Sequence, residues 1–242
     1  MTDPAPSTPT ARAPSGEIVV AVDGSDGSRA ALVWAGGAAR ALGAPLRGVQ
    51  CWEYPTSVPF PFGQSAPPPP EQVDTGVREA AQAFVAEGLA DGPRAEIDVR
   101  RGPPAVALLA VIGESTPRML VVGSRGLGGF AGLLLGSISR HCLEHAPCPV
   151  VVVPSPERGE VRPGLDLVVV GIDGSDEART ALDWALGLSR DSGPSVAAVH
   201  AFEPAFAELP PDVIASLREE ATTTLGSGWC RDLDDRADCL LV

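Results

Sequence analysis

The residues of this chain best suited to chemistry are Gly123-Ser-Arg-Gly126, followed after nine residues by Gly136-Ser137. Glycine has no Cβ, so a backbone built from it can come close to a ligand. The amides of Gly136, Ser137 and Ile138 would open a helix, where the first N–H groups lack intrahelical partners and the dipole favours negative charge. That is the chemistry of an anion site, with a phosphate as its natural occupant. Asp23 is the second candidate, at the end of the apolar run Ile18-Val-Val-Ala-Val-Asp23. A carboxylate beside phosphates can bind a ribose hydroxyl or an adenine amine, or share Mg²⁺ with the phosphates. The sequence contains no lysine, which removes both a phosphate-gripping ammonium and a Schiff base.

These residues need elements to bring them together. Residues 18–23 read as a strand, and the helix after it presents Ala31, Leu32, Trp34 and Ala35 as an apolar face, with both tryptophans of the repeat, Trp34 and Trp184, expected in the core. A second strand, 46–52, leads into a proline-rich loop from Tyr54 to about Gln72, where four consecutive prolines at 67–70 forbid regular hydrogen bonding. Helices are then expected at 74–89, 104–114 and 137–145, and strands at 95–100, 119–123 and 150–153. Nearly continuous apolar strands alternating with helices call for a parallel sheet covered on both faces. In such an open sheet a ligand sits beyond the carboxyl ends of the strands, where the connection direction reverses. A crevice between the first and fourth strands would bring Asp23 to the glycine-rich loop.

Residues 167–203 repeat residues 17–53 at a constant offset of 150, with about 16 of 36 pairs from position 18 onward identical. Asp23-Gly-Ser-Asp26 recurs as Asp173-Gly-Ser-Asp176, and Trp34 as Trp184. A helical pattern at 211–225 and a third strand at 237–242 follow, and nothing equivalent to residues 103–154 comes after them. The expected organisation is a disordered tail at 1–15, a complete domain at 16–154, a linker at 155–164 and a truncated second copy at 165–242. The second copy would leave an apolar edge along 168–172, which implies a homodimer or a poorly folded C-terminal segment.

At 242 residues, 44% of them hydrophobic, the chain can bury a core. A net charge of −13 without clustered cations argues against nucleic acid as a partner. No stretch approaches the roughly 18–20 apolar residues of a membrane span, and the N-terminal segment lacks the apolar core of a signal peptide, so neither a membrane nor export is expected and the location is cytoplasmic. Five cysteines, an odd and scattered set, fit free thiols in a reducing compartment.

The spacing G-x2-G-x9-G-S, together with the strand-Asp-Gly-Ser start and the ending Pro147-Cys-Pro-Val-Val-Val-Val153, resembles the ATP-binding branch of the universal stress protein family, in tandem form with the second copy truncated. The resemblance implies an open, doubly wound parallel five-stranded sheet of order 3-2-1-4-5 with helices on both faces, followed by the partial copy. It also implies ATP with Mg²⁺, held by the first-strand Asp, by main-chain groups at the end of strand two and by the glycine-rich loop. Carried over, that places Ala21 and Asp23 near the base and ribose, Cys51 at the adenine-contacting backbone position, and Gly123, Gly126, Gly136, Ser137 and Ile138 around the phosphates. Arg125, inside the loop, is a further nucleotide-binding candidate that either touches phosphate or faces solvent. The family often has His-Val at the end of strand two, where this chain has Gln50-Cys51, although the second copy keeps His200. In the family the last strand commonly pairs domains, and here that strand is Val150–Val153.

The expected function is therefore a regulatory, stress-response protein in which ATP occupancy of the first domain orders the loop and alters a surface read by a regulatory protein partner. One nucleotide per chain is expected, because residues 165–242 contain no second glycine-rich spacing. No catalytic residues are assigned: the chain offers no Walker lysine, no positioned general base and no arginine finger. The alternatives are an interaction module without nucleotide, and a slow ATP hydrolase. His141 and His145 have a zinc-ligand spacing, but prolines at 147 and 149 carry Cys148 away, so no metal site is assigned. Ser25 and Ser28 read as helix caps rather than nucleophiles.

Overall fold

The computed structural model describes residues 16–54, 68–90, 92–127, 135–155, 164–189, 193–200 and 237–241. The chain divides into two compact units, Met1–Gly164 and Leu165–Val242. The first contains β1 (Ile18–Val22), α1 (Asp26–Leu42), β2 (Leu46–Trp52), α2 (Pro70–Gly88), β3 (Ala95–Arg101), α3 (Pro104–Ser115), β4 (Met119–Gly123), α4 (Ser137–His145) and β5 (Val150–Val153). All its strand pairs are parallel, in the order β3-β2-β1-β4-β5. Helices α1 and α2 pack together on one face and α3 and α4 on the other, which is the open, doubly wound arrangement expected.

Burial on both faces explains the composition of the central strands. Ile18, Val19 and Val20 of β1 and Met119, Leu120 and Val121 of β4 are wholly buried, and a β-branched or long aliphatic side chain suits such a site. On the α3–α4 side, Val19, Val49, Leu108, Val111, Ile112, Leu120 and Cys142 form one cluster. Helix α1 is capped by Ser25, whose Oγ accepts the Ser28 N–H at 3.1 Å, so the capping role expected of this serine is what the structure shows. Its first turn lies against the end of β4 so closely that a Cβ on Gly123 would sit 2.6 Å from the Gly27 carbonyl atoms. Only glycine permits that approach.

Several element boundaries and the burial of two tryptophans need correction. The second helix starts at Pro70 rather than residue 74, because proline at the first helical position already has a helical φ and gives up only an N–H that would have no partner. β1 stops at Val22, since Asp23 opens the turn into α1, while β3 and α3 each run one residue further than expected. Trp34 and Trp184 are half-buried rather than core residues. Trp184 packs against the second unit's cluster without being enclosed by it.

The second unit contains β6 (Leu167–Gly171), α5 (Asp176–Ser189), β7 (Ser195–His200) and β8 (Ala237–Leu241), with a parallel sheet of order β6-β7-β8. The third strand of the repeat is thus present, in register with β7 from Val196↔Ala237 to His200↔Leu241. Val170, Ile172, Leu182, Ala185, Val196 and Ala198 form its core. β6 is an edge strand among the described residues, and Leu167 and Val169 are 55% and 59% exposed while Val170 and Ile172 are buried. The expected tail at 1–15, helix at 211–225 and most of the linker lie outside the described residues.

Candidate functional site

Beyond the carboxyl ends of β1, β2 and β4 lies a cavity of about 520 Å³, closed below by the first turns of α3 and α4. Its volume falls in the roughly 300–1,000 Å³ range of small-molecule sites. The sheet order creates it: β1 and β4 are neighbours whose following helices, α1 and α4, leave toward opposite faces. Ala21, Asp23, Cys51, Gly123, Arg125, Gly126, Gly136, Ser137 and Ile138, the nine residues expected from sequence, all line it.

One end is built to meet negative charge. Gly136 caps α4 with φ −73° and ψ 163° and supplies no side chain, and its carbonyl accepts the Arg140 N–H at 3.0 Å. The amides of Ser137, Ile138 and Ser139 therefore have no acceptor within the helix. The Gly136 amide, expected to be free, is not: it donates to the Ser124 carbonyl at 2.7 Å. Closing the base of the glycine-rich loop consumes that N–H, so the anion-facing donors are the amides beyond it. Ser139 Oγ donates to the Gly123 carbonyl at 2.7 Å and ties the helix start to the end of β4.

Asp23 stands between this end and β1. Its Oδ1 accepts the Ser25 N–H at 2.9 Å and the Ser25 hydroxyl at 2.6 Å, and its Oδ2 accepts the Leu127 N–H at 3.3 Å. The carboxylate thus joins the β1–α1 turn to the glycine-rich loop. Gly126 makes this possible, because a Cβ there would collide with Asp23 Oδ2. Arg125 also lines the cavity, and its Nε–H donates to Ser155 Oγ at 3.3 Å.

The other walls are apolar. Val49 and Cys51 from β2, Leu108 from α3, Val122 from β4 and Ile138 from α4 line a surface suited to a flat, weakly polar ring. Burial, and secondarily the negative charge of Asp98, pushes the Cys51 thiol up to about 11, so at neutral pH it meets a ligand as a protonated, weakly polar group. Cys51, Cys142 and Cys148 are all free. His141 and His145 stack at 4.3 Å, with His145 Nδ1 3.0 Å from the His141 carbonyl oxygen.

Sequence reasoning missed Ser124, Ser139 and Ser155. Ser139 stands two residues past Gly136-Ser137 and could have been suspected as a helix-start residue; Ser155, past β5, carries no spacing signal. Gln50, Pro104 and Leu108 also line the cavity.

Comparison with known proteins gives this architecture its relatives. The profile of the Universal stress protein family matches residues 15–154 and 165–227. Universal stress protein Rv1996 of Mycobacterium tuberculosis is 33% identical over 200 residues, 76% of this chain, and the chain spans 62% of that relative's length. Among solved structures, a universal stress protein from Archaeoglobus fulgidus superposes with a TM-score of 0.57 at 17% identity, covering 94% of this chain and 78% of that one. A universal stress protein in complex with cAMP is 26% identical and covers 57% of this chain and 96% of its own, with a TM-score of 0.42. With the profile matched in both units and the sheet order that of the fold, the chain belongs to the universal stress protein family.

Proposed function

We propose that the first unit binds ATP in the cavity between Asp23 and Ser137, and that occupancy rather than turnover is its output in a stress response. The observation that carries this is the pairing of two ends in one cavity: uncapped first-turn amides of α4 at one, and the apolar wall of Val49, Cys51 and Leu108 at the other. Hydrogen bonds from amides to a charged phosphate are worth about 1.5–3 kcal/mol each, and the helix dipole adds about 0.3–1 kcal/mol. Gly123, Gly126 and Arg125 would flank the phosphates, and Ala21 and Cys51 the base. Asp23 presents a single carboxylate to this cavity, which fits Mg²⁺, an ion commonly held by one or two carboxylates together with substrate phosphates. A divalent ion there would neutralise charge between Asp23 and the phosphates. Isothermal titration with ATP, with and without Mg²⁺, is expected to show one site per chain, tighter with the ion; no heat at millimolar ATP overturns the proposal.

A second reading has its own support. Asp23 is already engaged by Ser25 and Leu127, and the Gly136 amide by Ser124, so the glycines also serve a turn that binds nothing. Gly136→Trp separates the two: it abolishes ATP affinity on the first reading and leaves partner binding unchanged on the second. Assembly as a homodimer and residence in the cytoplasm belong to the same proposal. The first draws on the exposed Leu167 and Val169 of edge strand β6, the second on the unpaired thiols. Among the described residues no helix is long and apolar enough to cross a membrane.

A further inference from the structure

We propose that Ser155, two residues past β5 and outside the glycine-rich spacing, is a positioning residue for the anion end of the cavity; this rests on the nucleotide reading above. Ser155 and Ser124 are each only 7% exposed, so their hydroxyls must find partners within the protein. The two Oγ atoms lie 3.2 Å apart, and the Ser155 N–H donates to Ser124 Oγ at 3.1 Å. The Ser124 N–H donates to the Val153 carbonyl at 2.7 Å, and its carbonyl accepts the Gly136 N–H, also at 2.7 Å. Every polar group of Ser124 is therefore engaged, on one side by the last residue of β5 and Ser155 beyond it, and on the other by the cap of α4. Ser155 Oγ in addition accepts the Arg125 Nε–H at 3.3 Å.

A hydroxyl carries one proton and two lone pairs, so Ser155 Oγ can serve Ser124 and Arg125 together. Ser155 thereby holds two cavity-facing parts from behind. Through Ser124 it sets the base of the loop and the Gly136 cap, and directly it sets the side chain of Arg125. It does not line the cavity itself, so its effect on a ligand passes through those residues. The part of the ligand it governs is the phosphate chain; the base lies against Val49, Cys51 and Leu108, which Ser155 does not contact through any of these bonds.

The test titrates ATP and adenosine against the full chain and its Ser155→Ala, Ser155→Thr, Arg125→Ala and doubly substituted Ser155→Ala, Arg125→Ala forms. Ser155→Ala is expected to weaken ATP about tenfold and leave adenosine unchanged, the size of one lost charge-assisted bond. Ser155→Thr, which keeps the hydroxyl, restores ATP affinity to within about threefold, and the double variant loses less than the sum of the singles because the two residues act through one contact. Unchanged ATP affinity in Ser155→Ala, or an equal fall for ATP and adenosine, overturns the proposal. Should Ser155→Ala fail to fold, Arg125→Lys keeps a cation but has no Nε–H: loss of ATP affinity alone supports the role of the contact, and unchanged affinity overturns it. A wild-type chain that binds neither ligand overturns the nucleotide reading itself, and this proposal with it; wild-type binding with an unaffected Ser155→Ala removes this proposal alone.

Discussion

At Gly126 the reason for glycine is a carboxylate. Its missing Cβ is the space occupied by Asp23 Oδ2, so Gly126→Ala must push Asp23 away from Leu127 and is expected to lower ATP affinity about tenfold, measured by titration. Gly136 differs: a Cβ there would meet Ser124 O at 3.5 Å and Arg125 Cα at 3.6 Å, ordinary contacts. Gly136→Ala is expected to cost under about 1 kcal/mol in chemical unfolding, with ATP binding largely retained. Spacing made both glycines legible, but not this difference, because a pattern of letters carries no information about which neighbour fills the missing Cβ. The Gly136 amide was misjudged for the same reason: its acceptor, Ser124, is twelve residues away and is set only by closure of the loop. The thiols yield a pH dependence. Burial holds Cys51 and Cys142 protonated up to about 11 in the folded chain, against 9.0 for the ordinary thiol. The unfolded chain therefore loses these protons first, so the contribution of the two thiols to stability is level below about pH 9 and is lost as pH rises from 9 toward 11. Urea midpoints over that range should decline less steeply in a Cys51→Ala, Cys142→Ala chain.

Elements were the most readable level. Apolar patterning and helical periodicity located the described strands and helices of the first unit, most plainly β1 and β4, where burial on two faces leaves a nearly continuous apolar signature. What misled was local backbone chemistry: four prolines signalled loop, yet the last of them opens α2. Trp34 shows a limit of another kind, since periodicity places a residue on a face without saying how far the neighbouring layer extends over it. The turn before α1 offers a test of element stability. Ser25→Ala removes both Ser25 side-chain bonds, the cap on Ser28 and the bond to Asp23, and should lower unfolding free energy by about 1 kcal/mol. In the centre of the sheet, Leu120 is wholly buried, and Leu120→Ala should cost about 2–5 kcal/mol, read from the shift in denaturant midpoint.

The whole chain contains two units with separate cores, and the proposed ligand belongs to the first. Leu182→Ala, in the core of the second unit, should lower that unit's protease resistance while leaving ATP affinity and a stoichiometry of one per chain intact. Light scattering is expected to return a homodimer; a monodisperse monomer whose C-terminal third resists protease would argue against it. The duplication was plain in the letters, and the structure shows what it copied. Ser175 donates its N–H and hydroxyl to Asp173 Oδ1 at 2.9 and 2.6 Å, the same distances found at Ser25 and Asp23, and Gly24 and Gly174 share φ of 82° and 88°. Ser175 Oγ in turn accepts the Ala178 N–H, as Ser25 does for Ser28. The turn therefore forms in a unit whose sequence has no glycine-rich spacing beside it. It is a self-sufficient launch for a helix, held by bonds among its own residues. Asp-Gly-Ser-Asp after an apolar strand is thus a signature of the turn alone, and support for a nucleotide must be sought in the glycines that face Asp23 in the first unit.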